Sequence, residues 1–301
     1  MAPRTRSGRA TLALGSVLAV IAGTFVAAPP AHAIPADPVC LGISMSTAQA
    51  MGFDIFLGTN GNDTYLNTTG TNVWAWGGPG DDTITTDSGD DIICANEGAD
   101  TVVAGAGRDE VRGGDGDDTI DLGNGTFGYA EGGLGNDTIT GGGNEDDVYG
   151  DDLVVTAADG GDDVIYGGGG GDYLHGGAGS DTLFGEAGDD SINGDAGGDN
   201  LYGQLGDDSI YGNDGGDFID GGGGDDRLFG LDGNDGIAGD DGDDRLYGDD
   251  GDDTLDGGAG VDVLYGSDGV DDLVGGGGTD TGDGGLGVDT TCDVEVLTNC
   301  P

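Results

Sequence analysis

Apolar residues are sparse in this chain and fall at a fixed interval. Through the second half, one aliphatic side chain recurs every ninth residue: Leu174, Leu183, Ile192, Leu201, Ile210 and on to Leu273. The same interval spaces Ile84, Ile93, Val102, Val111 and Ile120 in the first half. A single inward residue flanked by outward ones predicts a strand of about three residues. The other six residues of each unit predict a turn. Glycine holds the fourth position almost throughout and often the first two, as a turn with positive φ demands. Aspartate holds the sixth position with few exceptions, from Asp63 through Asp289. GGPGDDTIT (77–85), GGAGSDTLF (176–184) and GGGGDDRLF (221–229) show the pattern, and about 22 units share Gly fourth and Asp sixth.

A unit that buries one side chain cannot fold alone; it needs neighbours stacked on it, as in a solenoid. Collagen is excluded because the glycine period is nine rather than three. Disorder would account for the composition but not for the phase-locked eighth position. The frame divides the chain. A first repeat block covers 58–149, and 150–157 reads as an imperfect unit or loop. A second block covers 158–292, where the frame does not slip from Gly167 to Cys292. Segments 34–57 and 293–301 read as end caps, the first through Ile43, Met45, Met51, Phe53, Ile55 and Phe56 over the open end. Within the first block Glu131 reads as an extra residue. Some units are degraded: Asn72 and Phe127 stand where Asp is expected, Asn144 where Gly is expected, and Gly282 and Thr291 where an apolar residue is expected.

Charge narrows the range of partners. Sixty acidic residues against seven basic ones give a formal net charge of −53. A chain so acidic repels nucleic acid and anionic membranes and attracts cations. Residues 1–33 have the form of a secretory signal: Arg4, Arg6 and Arg9, then an apolar run, then Ala31-His32-Ala33 as a cleavage site. The run is short for a membrane anchor and no later stretch would span a bilayer. Cleavage after Ala33 would remove three arginines and take the charge from −53 to −56. Export makes disulfides reasonable for the four cysteines. Of the three possible pairings, Cys40 with Cys94 and Cys292 with Cys300 are favoured, because each would clip one end.

Stacking such units brings rows of carboxylates together, and one buried aliphatic side chain per unit returns less than ordering nine backbones costs. Something must neutralise the rows. Carboxylate and carbonyl oxygens suit Ca²⁺. Zinc would want Cys and His, but His175 is the only His after residue 33. Mg²⁺ keeps its waters and fits an all-protein cage poorly. The units resemble the RTX, or haemolysin-type, calcium-binding nonapeptide, G-G-x-G-x-D-x-U-x, over most of 58–292. That resemblance implies an all-β fold, a right-handed parallel β-roll with two units per turn. It also implies calcium between turns on the same side, held by turn carbonyls and by the sixth-position Asp of units 18 residues apart.

Carried onto this chain, Asp82 shares an ion with Asp100, Asp91 with Asp109, Asp172 with Asp190, Asp181 with Asp199, and Asp226 with Asp244. Asp118, Asp163, Asp208, Asp217, Asp235, Asp253, Asp262 and Asp271 hold the equivalent positions. Carbonyls at Gly80, Gly98, Gly188 and Gly206 would complete the shells. The array would hold on the order of 15 ions, with affinities of about 10⁻⁴–10⁻³ M. The fifth-position acids Asp81, Asp189, Asp207 and Asp243 read as solvated. The chain departs from many family members in its N-terminal signal and in lacking room for a separate enzyme or pore-forming domain.

No nucleophile–base pair stands out, since His175 falls at an outward ninth position. The expected function is therefore a calcium-dependent, secreted structural or adhesive roll; an extracellular enzyme acting on a polysaccharide or other polymer is the alternative. Tyr211, Phe229, Tyr247 and Tyr265 recur at intervals of 18, as do Tyr166, Phe184 and Tyr202, while Arg227 and Arg245 run beside the first series. Stacking that stiffens the sheet accounts for such ladders. A stripe for a cell-surface glycan or a protein is the other reading.

Overall fold

A computed structural model describes residues 39–151, 160–287, 289, 291–294 and 296–298. The signal segment, residue 300 and thus the Cys292–Cys300 pairing lie outside the described residues. Two parallel sheets, one of 14 strands and one of 15, face each other as a β-solenoid. Successive units alternate between the sheets, so each strand pairs with the one a full coil away. On one sheet Ile165, Leu183, Leu201, Ile219 and Ile237 stand in register, and on the other Leu174, Ile192, Ile210, Leu228 and Leu246. Every one of these eighth-position side chains is buried, and together they form one aliphatic file between the sheets.

The strands of the second block run to six residues, as in Thr182–Ala187 and Ser191–Ala196, rather than three. The first three residues of the next unit join the ladder, which leaves a tighter turn. The fourth-position glycines need their missing side chain twice over. Gly188 has φ of 144°, and a Cβ there would collide with the Gly170 carbonyl. The second position is also left-handed yet tolerates Glu186, Gln204 and Leu231, so there the strain is affordable.

Three irregularities resolve differently from the sequence reading. Ala130 pairs with Val111 and Glu131 with Arg112, so Glu131 is a regular ninth-position residue. The extra residue sits upstream in the turn, and Gly128, not Phe127, takes the sixth position, where its N–H meets Asp146 Oδ1 at 2.6 Å. Likewise Val73, not Asn72, donates to Asp91 Oδ1 at 2.7 Å. Near the C-terminal end Cys292, not Thr291, pairs with Leu273. The first two slips are each one residue absorbed in a turn, where length is cheap, while the strands keep register. The segment around 150 also divides. Gly150 occupies the first position of the unit that contains Asp163, and its N–H donates to the His175 carbonyl at 2.8 Å. The extra residues therefore enter after Asp151, inside that unit's turn, and 152–159 lie outside the described residues.

The N-terminal segment meets the first coils in two places. Phe56 and Tyr65 stack across the first coil with ring centroids 4.6 Å apart. The hairpin Val39–Cys40 with Ile43–Ser44 and the helix Met45–Met51 do not cover the open end. They lie on the outer face of the first strands, against Trp74, Ile92 and Cys94, and Met51 stays exposed. Cys40–Cys94 is a disulfide. Ser44 caps the helix by accepting from the Thr47 N–H at 3.3 Å.

Candidate metal sites between the coils

The sixth-position aspartates form two rows, one along each edge of the roll; Asp63 is half-buried and those from Asp82 to Asp289 are buried. Each carboxylate reaches back one coil, where its Oδ1 accepts the main-chain N–H of the preceding sixth-position residue. Asp163, Asp181 and Asp199 donate in this way to Asp181, Asp199 and Asp217, at 2.8 Å each. The opposite row repeats it through Asp190 to Asp208 and Asp208 to Asp226, at 2.7 Å. The pairs predicted from the sequence are thus brought together. Asp100 Oδ1 lies 2.6 Å from the Asp82 nitrogen, Asp109 Oδ1 3.0 Å from that of Asp91, and Asp190 Oδ1 2.7 Å from that of Asp172. Asp244 contacts Asp226 at 2.8 Å, and Asp271 holds the same bond from Asp253 at 3.0 Å. Asp118, Asp235 and Asp262 take their places in the rows likewise.

The second carboxylate oxygen is where chemistry is left over. Oδ2 of Asp82, Asp91, Asp100, Asp109 and Asp118, and of each sixth-position Asp from Asp163 to Asp262, is buried with no hydrogen bond. Native structures rarely strand such a group, because it has lost its water and gained no partner. It faces the first-position residue of its own unit and a carbonyl of the next coil. A Cβ on Gly167 would lie 2.6 Å from Asp172 Oδ2 and 2.8 Å from the Gly185 carbonyl oxygen; on Gly257, 2.6 Å from Asp262 Oδ2 and 2.8 Å from the Gly275 oxygen. Carboxylate and carbonyl oxygens thus converge where only glycine leaves room. This donor set fits a hard cation. Among the described residues no point gathers three or more His, Cys, Asp or Glu side chains, so carbonyls are an essential part of it.

Sequence reasoning missed these first-position carbonyls; the signal was the run of glycines at a position whose strand geometry does not itself demand one. The fourth-position carbonyls named from the sequence line the turns one coil apart. Those of Gly80 and Gly188 lie against the Cα of Gly98 and Gly206 one coil on, and those of Gly98 and Gly206 against Gly116 and Gly224. The fifth-position acids are exposed, and Asp189 Oδ1 accepts the Asp207 N–H at 3.1 Å. His175 stacks on Tyr149 at 4.9 Å, and its Nδ1 lies 3.3 Å from Asp195 Oδ2.

Burial raises these acids. Desolvation, augmented by neighbouring carboxylates and only partly offset by the backbone N–H, lifts Asp82, Asp172, Asp181, Asp208 and Asp244 to about 7. Asp163 reaches about 8 and Asp137 about 9. The rows therefore resist carrying negative charge unless a positive charge joins them.

The chain matches the family model of the RTX calcium-binding nonapeptide repeat over residues 57–126, 129–152 and 157–290, and it belongs to that family. The family is one of calcium-binding repeats rather than of catalysts. No curated protein matches the chain in sequence.

Proposed function

We propose that calcium ions lie in files along both edges of the roll and are what holds the coils together at neutral pH. The carboxylates of the sixth-position aspartates and the carbonyls of the glycine-rich turns, first position included, would hold them. Bound calcium supplies positive charge that offsets carboxylate repulsion and satisfies the stranded oxygens. The chain's own part is to present oxygen donors in register and to keep side chains out of the first position. What carries this reading is the uninterrupted series of buried Oδ2 atoms with no hydrogen bond, from Asp163 to Asp262. Because the sites exist only between stacked coils, binding and folding are one event. The protein is then a secreted structural or adhesive element, assembled as a rod where calcium is plentiful.

Equilibrium dialysis with metal analysis tests the binding. A count on the order of 15 ions per chain is expected, with affinities of about 10⁻⁴–10⁻³ M. One or two ions, or equal retention of magnesium, would refute the proposal. N-terminal sequencing of the exported protein tests export, with Ile34 as the expected first residue.

A further inference from the structure

The two rows of sixth-position residues differ in one place. On one edge the stranded Oδ2 atoms follow coil by coil through Asp82, Asp100, Asp118, Asp137, Asp163 and Asp181. On the other, among the described residues, they stop at Asp109 and resume at Asp172. Gly128 and Asp146 hold the row between them, joined by the Gly128 N–H and Asp146 Oδ1 at 2.6 Å.

At Gly128 the chain itself occupies what a cation would need. The residue brings no carboxylate, and the room for one is taken. A Cβ on Gly128 would lie 2.6 Å from Leu122 Cδ1, in the first-position side chain of the same unit. Leu122 is buried and belongs to the aliphatic file between the sheets. A cation against that methyl would shed water and gain no oxygen from it, which is costly. The Gly125 carbonyl, at the fourth position of the same unit, accepts the side-chain amide of Asn144 one coil on. Asn144 stands where the repeat has glycine, and a glycine could not give that bond.

Charge is handled locally as well. Arg108, beside Asp109, lies over the Phe127 ring with its guanidinium carbon 5.1 Å from the centroid. No other fifth position in the repeats carries a basic residue, so a fixed positive charge meets the row just before the gap. Beyond the gap the usual arrangement returns. A Cβ on Gly141 would lie 2.8 Å from Asp146 Oδ2 and 2.5 Å from the Gly167 carbonyl oxygen. The other edge of the same coils is regular: the Asp118 N–H donates to Asp137 Oδ1 at 2.7 Å, and both Oδ2 atoms are stranded.

We propose that the junction between Gly128 and Asp146 is a metal-free clasp. Leu122 fills the space, Asn144 satisfies the turn oxygen and Arg108 offsets the charge, so the calcium file on this edge is broken there. The file on the opposite edge runs past it unbroken. The clasp is an exception within the calcium reading above and rests on it. It gives the first repeat block one coil contact that does not depend on calcium at that edge. It also divides the edge into a short file ending at Asp109 and a long one starting at Asp146.

The test is an anomalous difference map from crystals of the full chain grown with saturating calcium. Peaks are expected along both edges, the Asp118–Asp137 junction included, with none between Gly128 and Asp146. A peak there would overturn the clasp. No peaks on either edge would instead overturn the calcium reading, and the clasp with it. A triple variant, Leu122→Gly with Gly128→Asp and Asn144→Gly, should gain one peak at this junction and keep the others. A folded triple variant that keeps every other peak and gains none would contradict the roles given to these residues. Where the triple variant does not fold, the wild-type map decides alone.

Discussion

The coils before and after the insertion at 152–159 share one architecture but are closed by different means. Beyond it, the first position of every unit from Gly167 to Gly284 is glycine, and the Oδ2 rows run unbroken to Asp262. Before it, the first positions include Thr86, Ala95, Ala104 and Leu122, all buried. The Thr86 hydroxyl donates to the Ala104 carbonyl at 2.6 Å, an oxygen of the type left for a cation elsewhere. Leu122, the bulkiest of these, belongs to the unit whose sixth residue, Gly128, has no carboxylate to offer. This region has other ties instead: the Cys40–Cys94 disulfide, the Trp74 cluster, and an ion pair from Arg112 to buried Glu131 at 2.5 Å. The first region thus adds covalent and side-chain ties to the same coil and fills some first positions, but Oδ2 of Asp91, Asp100 and Asp109, in units that begin with Thr86, Ala95 and Ala104, is as unpartnered there as in the second region.

That contrast can be broken most forcefully by chelation. Hydrogen exchange after calcium removal should show the amides of 163–280 losing nearly all protection, while those around Trp74 and Ile93 keep theirs. Uniform loss along the chain would erase the distinction. Filling a first position is the next largest effect. Gly203→Ala would put a methyl between Asp208 Oδ2 and the Gly221 carbonyl and should raise the calcium midpoint by roughly tenfold. Ala95→Gly, the reverse change in the first region, should leave the midpoint of the second untouched.

Acid offers a third handle, and its sign follows from the raised carboxylates. Asp172, Asp181 and Asp208 have an ordinary value of 3.8 and sit at about 7 when folded without metal. The folded state therefore binds more protons than the unfolded one. Stability of the metal-free fold is full below about pH 4 and falls as pH rises through 7. Circular dichroism in chelator should show β structure returning on acidification from pH 8 to 5. Calcium affinity should fall over the same range, because protons and calcium compete for the same oxygens. The smallest effect is expected from Cys40→Ser with Cys94→Ser, which should cost the N-terminal region about 2–4 kcal/mol and leave calcium uptake by 163–280 unchanged in a parallel titration.

Much of this was legible in the sequence because the period is rigid. An eighth-position aliphatic residue has only one place to go, and the positions of Asp172 or Asp226 follow from counting. The favoured Cys40–Cys94 pairing was also found. What could not be read was where an extra residue is absorbed. A frame count placed Phe127 and Asn72 at the sixth position, but ladder hydrogen bonding holds the strands in register and pushes the slack into the turn, so Gly128 and Val73 stand there. Nor could the count show that Trp74 and Ile92, at outward positions, are covered by the N-terminal segment, since period alone does not reveal which outer face a flanking segment will cover. The first-position carbonyls were missed for a related reason: a backbone atom leaves no residue type to find.

The most direct test of the whole account is far-ultraviolet circular dichroism of the full chain at pH 7.5, followed through a calcium titration and then chelation. The account predicts a weak β signal without calcium, a cooperative rise as calcium is added, and reversal by the chelator. A full β signal that ignores both calcium and chelator at this pH would contradict it.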